Sequence, residues 1–129
     1  MRGIVSIGSN CGDRSQHISK ALTFIEGIAD VGQASGIFES PDFRGSGKKY
    51  LNAIIIIEAP HEYFELNGVF KRYEETCGRN PEARKRGEVP IDIDIVVWGE
   101  EIKKPVDYKS EYFKRGLAML NEKLANNQQ

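Results

Sequence analysis

The residues best placed to do chemistry are Asp92 and Asp94, which alternate with Ile91, Ile93 and Ile95. In a strand successive side chains leave opposite faces, so the isoleucines share one face and the carboxylates the other, roughly 6.6 Å apart along the strand. Neighbouring carboxylates repel unless something positive sits between or above them. Hard oxygen ligands at this spacing suit Mg²⁺, which takes one or two carboxylates together with water and phosphate oxygens. One reading is therefore a metal site that carries a polyphosphate. The other is a solvated strand face, or partners for the nearby Arg84, Lys85 and Arg86. Glu74, at the end of a predicted helix and just before Arg79, can join the aspartates or pair with that arginine.

The elements that must position these groups follow from periodicity and turn chemistry. Residues 3–7 form an apolar run ending in Gly8-Ser9-Asn10, which predicts a strand and a tight turn. Asp13 with Gln16 resembles a capping box, and Ile18, Ala21, Leu22, Ile25 and Ile28 follow at helical spacing; Gly27 weakens the end and Gly32 closes the turn. Residues 31–38 predict a weaker strand in which Gly32 and Gly36 tolerate a bulge or an edge position. Residues 40–49, SPDFRGSGKK, predict a mobile basic surface loop. It is not a phosphate-binding P-loop, because Asp42 stands where a glycine is needed and Lys49 where a hydroxyl is needed.

Residues 50–58 contain four consecutive isoleucines and predict a strand buried on both faces, near the middle of a sheet. Pro60 suits the first turn of a second helix, whose apolar stripe is Leu66, Val69, Phe70, Tyr73 and Cys77 before Gly78 ends it. Residues 79–89 read as a basic loop leading to the aspartate strand, which runs to Trp98. Gly99-Glu100 is a turn, and residues 102–105 predict a short edge strand terminated by Pro105. Tyr112, Leu117, Leu120 and Leu124 sketch a last helix, and residues 126–129 a frayed tail. The order β-α-β-β-α-β predicts an α+β fold, a ferredoxin-like antiparallel sheet with helices packed mainly on one face.

At 129 residues, this is the length of one domain, placed at 1–125, with a core that needs no staples. A net charge of -1 argues against a general nucleic-acid binder, and so does the absence of an aromatic-rich strand for stacking on bases, leaving a ferredoxin-like RNA-binding module as the weaker alternative. Cys11 and Cys77 are too few for a disulfide framework and lack zinc-site spacing. No secretory leader opens the sequence and the longest apolar run, 53–57, cannot span a bilayer, so the expectation is a soluble, cytoplasmic protein without a membrane partner. Oligomeric state is open, with a monomer favoured. His17 and His61 fall in predicted first turns of helices and no serine sits in a nucleophile elbow, which leaves no hydrolytic triad.

Four collinear motifs carry a resemblance. Ile4 to Asn10 with its SIGSN, the Tyr50-Leu51-Asn52-Ala53 run, Asp92-Ile93-Asp94 followed by Val96, Val97, Trp98 and Gly99, and Arg115-Gly116 with Met119 and Leu120 are together similar to the 6-hydroxymethyl-7,8-dihydropterin pyrophosphokinases. The resemblance implies Mg-dependent transfer of pyrophosphate from ATP to a pterin hydroxymethyl group in folate biosynthesis. It implies two Mg²⁺ ions on Asp92 and Asp94, with Arg79 and Arg115 beside them in catalysis. A pterin would be held by Ser40, Pro41, Tyr50, Asn52 and Leu117, and the nucleotide by Glu74, Arg79, Arg84, Arg86 and Arg115. Asn52 offers a pterin edge both an amide donor and an acceptor.

The chain also departs from that pattern. Where the family carries Arg-Trp-Gly-Pro-Arg, it has Lys85-Arg86-Gly87-Glu88-Val89, so a phosphate-contacting arginine is Val89. A basic position in the preceding loop is Pro81, a His-Tyr pair is Lys109 and Ser110, and the aromatic expected on the pterin is Leu117. Losing a charge-assisted phosphate contact costs several kcal/mol of transition-state binding by order of magnitude. Arg84 and Arg86 are the residues that could compensate. The second reading is accordingly a divergent pterin- or nucleotide-binding relative with weak or no transfer.

Overall fold

The unbroken run of isoleucines over 54–57 decides the architecture, because a strand apolar on both faces must lie between two layers. The computed structural model describes residues 1–42, 45 and 47–127. Its elements are β1 (Arg2–Ser9), α1 (Arg14–Glu26), β2 (Asp30–Ala34), β3 (Phe38–Ser40), β4 (Tyr50–Glu58), α2 (Tyr63–Thr76), α3 (Pro81–Lys85), β5 (Asp92–Trp98), β6 (Glu101–Ile102), α4 (Pro105–Tyr108) and α5 (Glu111–Asn127). The sheet runs β2-β4-β1-β5-β6, with β3 also on β4, and every pairing is antiparallel. Strands β1 and β2 both flank β4 and are joined by α1; β4 and β5 both flank β1 and are joined by α2. These are two interleaved split βαβ units, the α+β plan expected of the element order.

The larger core lies between one sheet face and the first two long helices, where Val5, Ile7, Ile55, Ile57, Ile93 and Ile95 meet Ile18, Ala21 and Ile25 of α1 and Leu66 and Phe70 of α2. Phe24 and Tyr73 stack with ring centroids 4.2 Å apart and tie α1 to α2. On the opposite face Phe38, Ile54 and Val96 form a smaller core with Phe113 and Leu120 of α5. The alternation at residues 91–95 is kept: Ile91, Ile93 and Ile95 are fully buried, and the aspartates point away from them.

Several boundaries differ from expectation, each for a local reason. The 31–38 strand is two strands: Gly32 is the extra residue of a bulge against β4, rather than the closure of a turn, and Gly36 turns the chain with φ +86. Ser35 seals the break, its hydroxyl accepting from the Ile54 amide at 2.9 Å while its own N–H donates to the Ile54 carbonyl. Ser40 belongs to β3 rather than to the loop after it, and Phe43, Arg44 and Ser46 of that predicted mobile loop lie outside the described residues.

Helix α2 begins at Tyr63, so Pro60 and His61 precede it instead of forming its first turn. The segment read as a loop over 79–89 contains α3, started by Asn80, whose side chain accepts from the Ala83 amide, with Pro81 at the first helical position. Pro105 likewise starts α4 rather than ending a strand, because a fixed φ and a missing N–H suit a helix start. Helix α5 continues through Asn127, and of the predicted frayed tail Gln128 and Gln129 lie outside the described residues. Among the described residues no helix is long and apolar enough to cross a membrane.

Candidate active site

Register places the site. Gly8 of β1 faces Asn52 on β4 to one side and Asp92 on β5 to the other, and Ser6 faces Asp94. An amide, a glycine and a carboxylate therefore form a row across three central strands. Gly8 keeps that row open, since a Cβ there would come within 3.3 Å of the Tyr50 ring and 3.5 Å of Asn52 Oδ1.

Strand β5 has little neighbour on its outer side at this end, because β6 pairs only with Val97 and Trp98. An exposed strand edge needs partners for its backbone groups. Helix α2 supplies them: the Ile93 N–H donates to Glu74 Oε2 at 2.8 Å, and Lys71 Nζ donates to the Ile93 carbonyl at 2.9 Å. Glu74 is thus buried, not a surface glutamate, and it brings both cations of the α2 end onto the aspartates. Lys71 Nζ donates to Glu74 Oε2 at 2.8 Å and to Asp94 Oδ1 at 3.0 Å, and stands 3.7 Å from Asp92 Oδ1. Arg79 Nη1 donates to Glu74 Oε1 at 2.8 Å and to Asp92 Oδ1 at 2.6 Å. Lys104 Nζ lies 3.7 Å from Asp94 Oδ1.

This crowding separates the two aspartates electrostatically. Burial and the adjacent Asp92 charge push the Asp94 carboxyl up to about 7. Burial also pushes Asp92 up, but its hydrogen bond with Asp94 and the charges of Arg79 and Lys71 outweigh this and hold it at about 2. Lys71 and Arg79 are opposed by burial and carried upward by the carboxylates around them, so both stay cationic.

Two clefts meet at Asp92. One is lined by Ser6, Gly8, Ser40, Tyr50, Asn52 and Tyr112, with Pro41, Asp42 and the buried Asp107 at its margin. In it Asn52 Nδ2 donates to Ser40 Oγ at 2.7 Å and reaches the Phe38 carbonyl at 3.4 Å, so the fold fixes the orientation of the amide. The other cleft carries Lys71, Glu74, Arg79, Arg84, Asp94 and Lys104. Arg79 and Arg84 also wall a recess with Tyr50, Gly87, Glu88 and Val89. Asn10, the last residue of the SIGSN run, pins the 87–89 wall of that recess: Val89 N–H donates to its Oδ1 at 2.6 Å, its own N–H donates to the Val89 carbonyl at 3.0 Å, and its Nδ2 donates to the Gly87 carbonyl at 2.9 Å.

The structure brings together Ser40, Pro41, Tyr50, Asn52, Glu74, Arg79, Arg84, Asp92 and Asp94 from the sequence reading. Three others stand apart. Arg115 donates to the Glu39 carbonyl at 2.9 Å, lies over the Phe38 ring and lines a neighbouring recess that shares Ser40, Pro41 and Tyr112 with the amide-lined cleft. Arg86 pairs with Glu88 at the surface. Leu117 is half-buried against the smaller core. The partners of the aspartates are Lys71, Arg79 and Lys104, not Arg84, Lys85 and Arg86. Lys71, Tyr112, Asp107 and Lys104 were missed; Lys71 precedes Glu74 by one helical turn, and that spacing was the available signal.

The donor set of hard oxygens at Asp92 and Asp94 fits Mg²⁺. Among the described residues no three His, Cys, Asp or Glu side chains are arranged as a ready metal cage, since Glu74 is turned to Lys71 and Arg79.

An antiparallel split-βαβ sheet with an amide-lined cleft on one side of a paired-carboxylate strand and a basic cleft on the other defines an α+β domain with two clefts that meet at Asp92. Residues 4–122 match the family described as 7,8-dihydro-6-hydroxymethylpterin-pyrophosphokinase, and the chain belongs to it. It is 32% identical over 100 residues to the 2-amino-4-hydroxy-6-hydroxymethyldihydropteridine pyrophosphokinase of Aquifex aeolicus, a match covering 76% of this chain and 61% of that protein. It is 29% identical to the folate synthesis bifunctional protein of Arabidopsis thaliana, over 75% of this chain and 20% of the relative. Against the folate synthesis bifunctional protein of Chlamydia trachomatis the identity is 32%, over 75% of this chain and 23% of the relative. The chain thus spans less than two thirds of the curated relatives it matches.

Proposed function

We propose that this chain transfers pyrophosphate from ATP to 6-hydroxymethyl-7,8-dihydropterin, a diphosphotransferase step of folate synthesis carried out in the cytoplasm. The observation that supports this best is the position of Asp92, shared by the amide-lined cleft and the basic cleft, which lets two ligands meet at one carboxylate. In the first cleft Asn52, held by Ser40, presents its amide to the pterin edge, with Pro41 and Tyr50 closing on the ring. In the second, Arg79 and Arg84 take the phosphates through charge-assisted hydrogen bonds, with Glu74 fixing Arg79. Arg115 and Arg86 are reserve cations on the flanks.

The hydroxymethyl oxygen bonds to the β-phosphorus, the bond from that phosphorus to the α–β bridging oxygen breaks, AMP departs and the hydroxyl proton passes to solvent. The protein's part is positioning and charge stabilisation, without a covalent enzyme intermediate. Asp92 and Asp94 would hold Mg²⁺, which supplies Lewis-acid neutralisation of the polyphosphate oxygens.

Incubation with ATP, Mg²⁺ and the pterin, followed by chromatography for AMP, tests the reading. Pterin-dependent AMP is the expected product, and pterin binding without AMP would replace the enzyme with the second reading, a pterin- or nucleotide-binding relative. Val89 motivates that second reading, since an apolar side chain lines the recess where a phosphate contact is expected.

A further inference from the structure

We propose that the Lys71 ammonium is a tethered cation that takes the place of one of the two divalent ions, so that this chain works with a single metal ion per nucleotide. The inference rests on the pyrophosphokinase reading and deepens it by changing the metal requirement of the same site.

Lys71 is fully coordinated by oxygens of its own chain. An ammonium has three N–H donors, and here each has an oxygen: Glu74 Oε2 at 2.8 Å, the Ile93 carbonyl at 2.9 Å and Asp94 Oδ1 at 3.0 Å. Asp92 Oδ1 is a fourth oxygen at 3.7 Å. The oxygens that a second metal ion would need are those already gathered around Nζ. They come from both faces of the problem, the α2 helix and the β5 backbone, so Lys71 is anchored by the fold and not resting on a surface pair.

Charge balance points the same way. Against at most three negative charges, on Glu74, Asp92 and Asp94, stand three cations, Lys71, Arg79 and Lys104, within 4.0 Å of them. A cluster neutralised by its own chain has less attraction for two dications than a bare carboxylate pair. Asp92 keeps the freer position, since its side chain is 21% exposed and that of Asp94 is 9% exposed, so one ion can still be met on the open side of Asp92. A second would face an ammonium at contact distance and like charge.

Mn²⁺ as probe makes the count measurable. Electron paramagnetic titration of free Mn²⁺ in the presence of α,β-methylene-ATP should give one bound ion per native chain, two for Lys71→Gln, and one again for Lys71→Arg, which keeps the charge. Without nucleotide, Lys71→Gln should acquire an Mn²⁺ site at least tenfold tighter than any in the native chain. Two ions on the native chain, or the same count in native and Lys71→Gln proteins, overturns the proposal. Should Lys71→Gln fail to fold, the native count alone decides between one and two. If neither protein takes up the nucleotide analogue, the pyrophosphokinase reading falls, and the nucleotide-free titration still rules: a site gained by Lys71→Gln supports the tethered cation, and no gain refutes it.

Discussion

At Gly116 helix α5 lies close against the sheet, and Gly116→Ala puts two opposed effects in competition. A Cβ at this position would lie 2.1 Å from Ile54 Cγ1 and 3.0 Å from Ile54 Cβ, and Ile54 is fully buried in the middle of β4. Carbon atoms rest about 3.5–4.0 Å apart, so the helix must withdraw by roughly 1.5 Å or Ile54 must leave its rotamer. Overpacking of this kind costs about 1–3 kcal/mol, and a clash against a strand side chain with no free space belongs at the upper end. Alanine returns about 1 kcal/mol through helix propensity. The net loss predicted is therefore about 2 kcal/mol, a fall in the unfolding midpoint of about 6–10 °C for a chain of this size. Urea and thermal unfolding of Gly116→Ala, Ile54→Ala and the double variant check it. Ile54→Ala alone should cost about 2–5 kcal/mol, and the pair should be less destabilised than the sum by about 1 kcal/mol or more. A Gly116→Ala protein as stable as the native one, or a strictly additive cycle, would refute the close-approach argument.

Three further outcomes are expected. Glu74→Ala strands the Ile93 N–H and removes a partner from both Lys71 and Arg79, so it should lose about 3 kcal/mol in urea titration, and a loss under 1 kcal/mol would sink the structural role given to Glu74. For the nucleotide-free protein, the Asp94 carboxyl at about 7 lies above its ordinary 3.8, so its contribution to stability is complete below that value and drains as pH rises through 7; Asp92, at about 2, contributes above 3.8 and loses it as pH falls through 2. Asp94→Asn should therefore lose less stability than the native chain between pH 5 and 8, and parallel melting curves would contradict this. Val89→Arg returns a cation to the recess beside Arg79 and Arg84 and should tighten nucleotide binding by about 1.5–3 kcal/mol, roughly tenfold or more by calorimetry; an unchanged Kd would show that the position does not face the phosphates.

The strand carrying Asp92 and Asp94 was legible because strict alternation with isoleucine has one geometric meaning, and the four isoleucines of β4 were legible because a strand apolar on both faces has one place in a sheet. Punctuation was read less well. Pro81 and Pro105 each start a helix while Pro60 only precedes one, because proline suits a strand end, a loop and a helix start alike, and only the neighbouring cap resolves which. For α3 that cap is Asn80, and the Asn-Pro pair was present in the sequence. The split between β2 and β3 depends on Ser35 bonding to Ile54, a contact between residues 19 apart that no local pattern encodes. Glu74 was ambiguous for the same reason. Its burial follows from the unpaired edge of β5, which becomes visible only when β6 is found to reach no further than Val97.

Val89 and the Lys71 cluster, the two features that bear on the proposed phosphate chemistry, are connected through the placement of positive charge. Val89 gives up a side-chain cation in the 87–89 segment, and that segment is held to β1 by three hydrogen bonds from or to Asn10, so the backbone geometry survives the loss. Lys71, Arg79 and Lys104 meanwhile concentrate positive charge directly on the carboxylates, and Arg84 stands between the two regions. A cation moved from the rim of a phosphate site to its floor still offsets polyphosphate charge, but it does so by competing with metal ions for the same oxygens instead of bonding the outer phosphates. If both proposals hold, nucleotide affinity should depend less on divalent-ion concentration and more on Lys71, and that is why the metal count and the Val89→Arg affinity should be measured on the same protein.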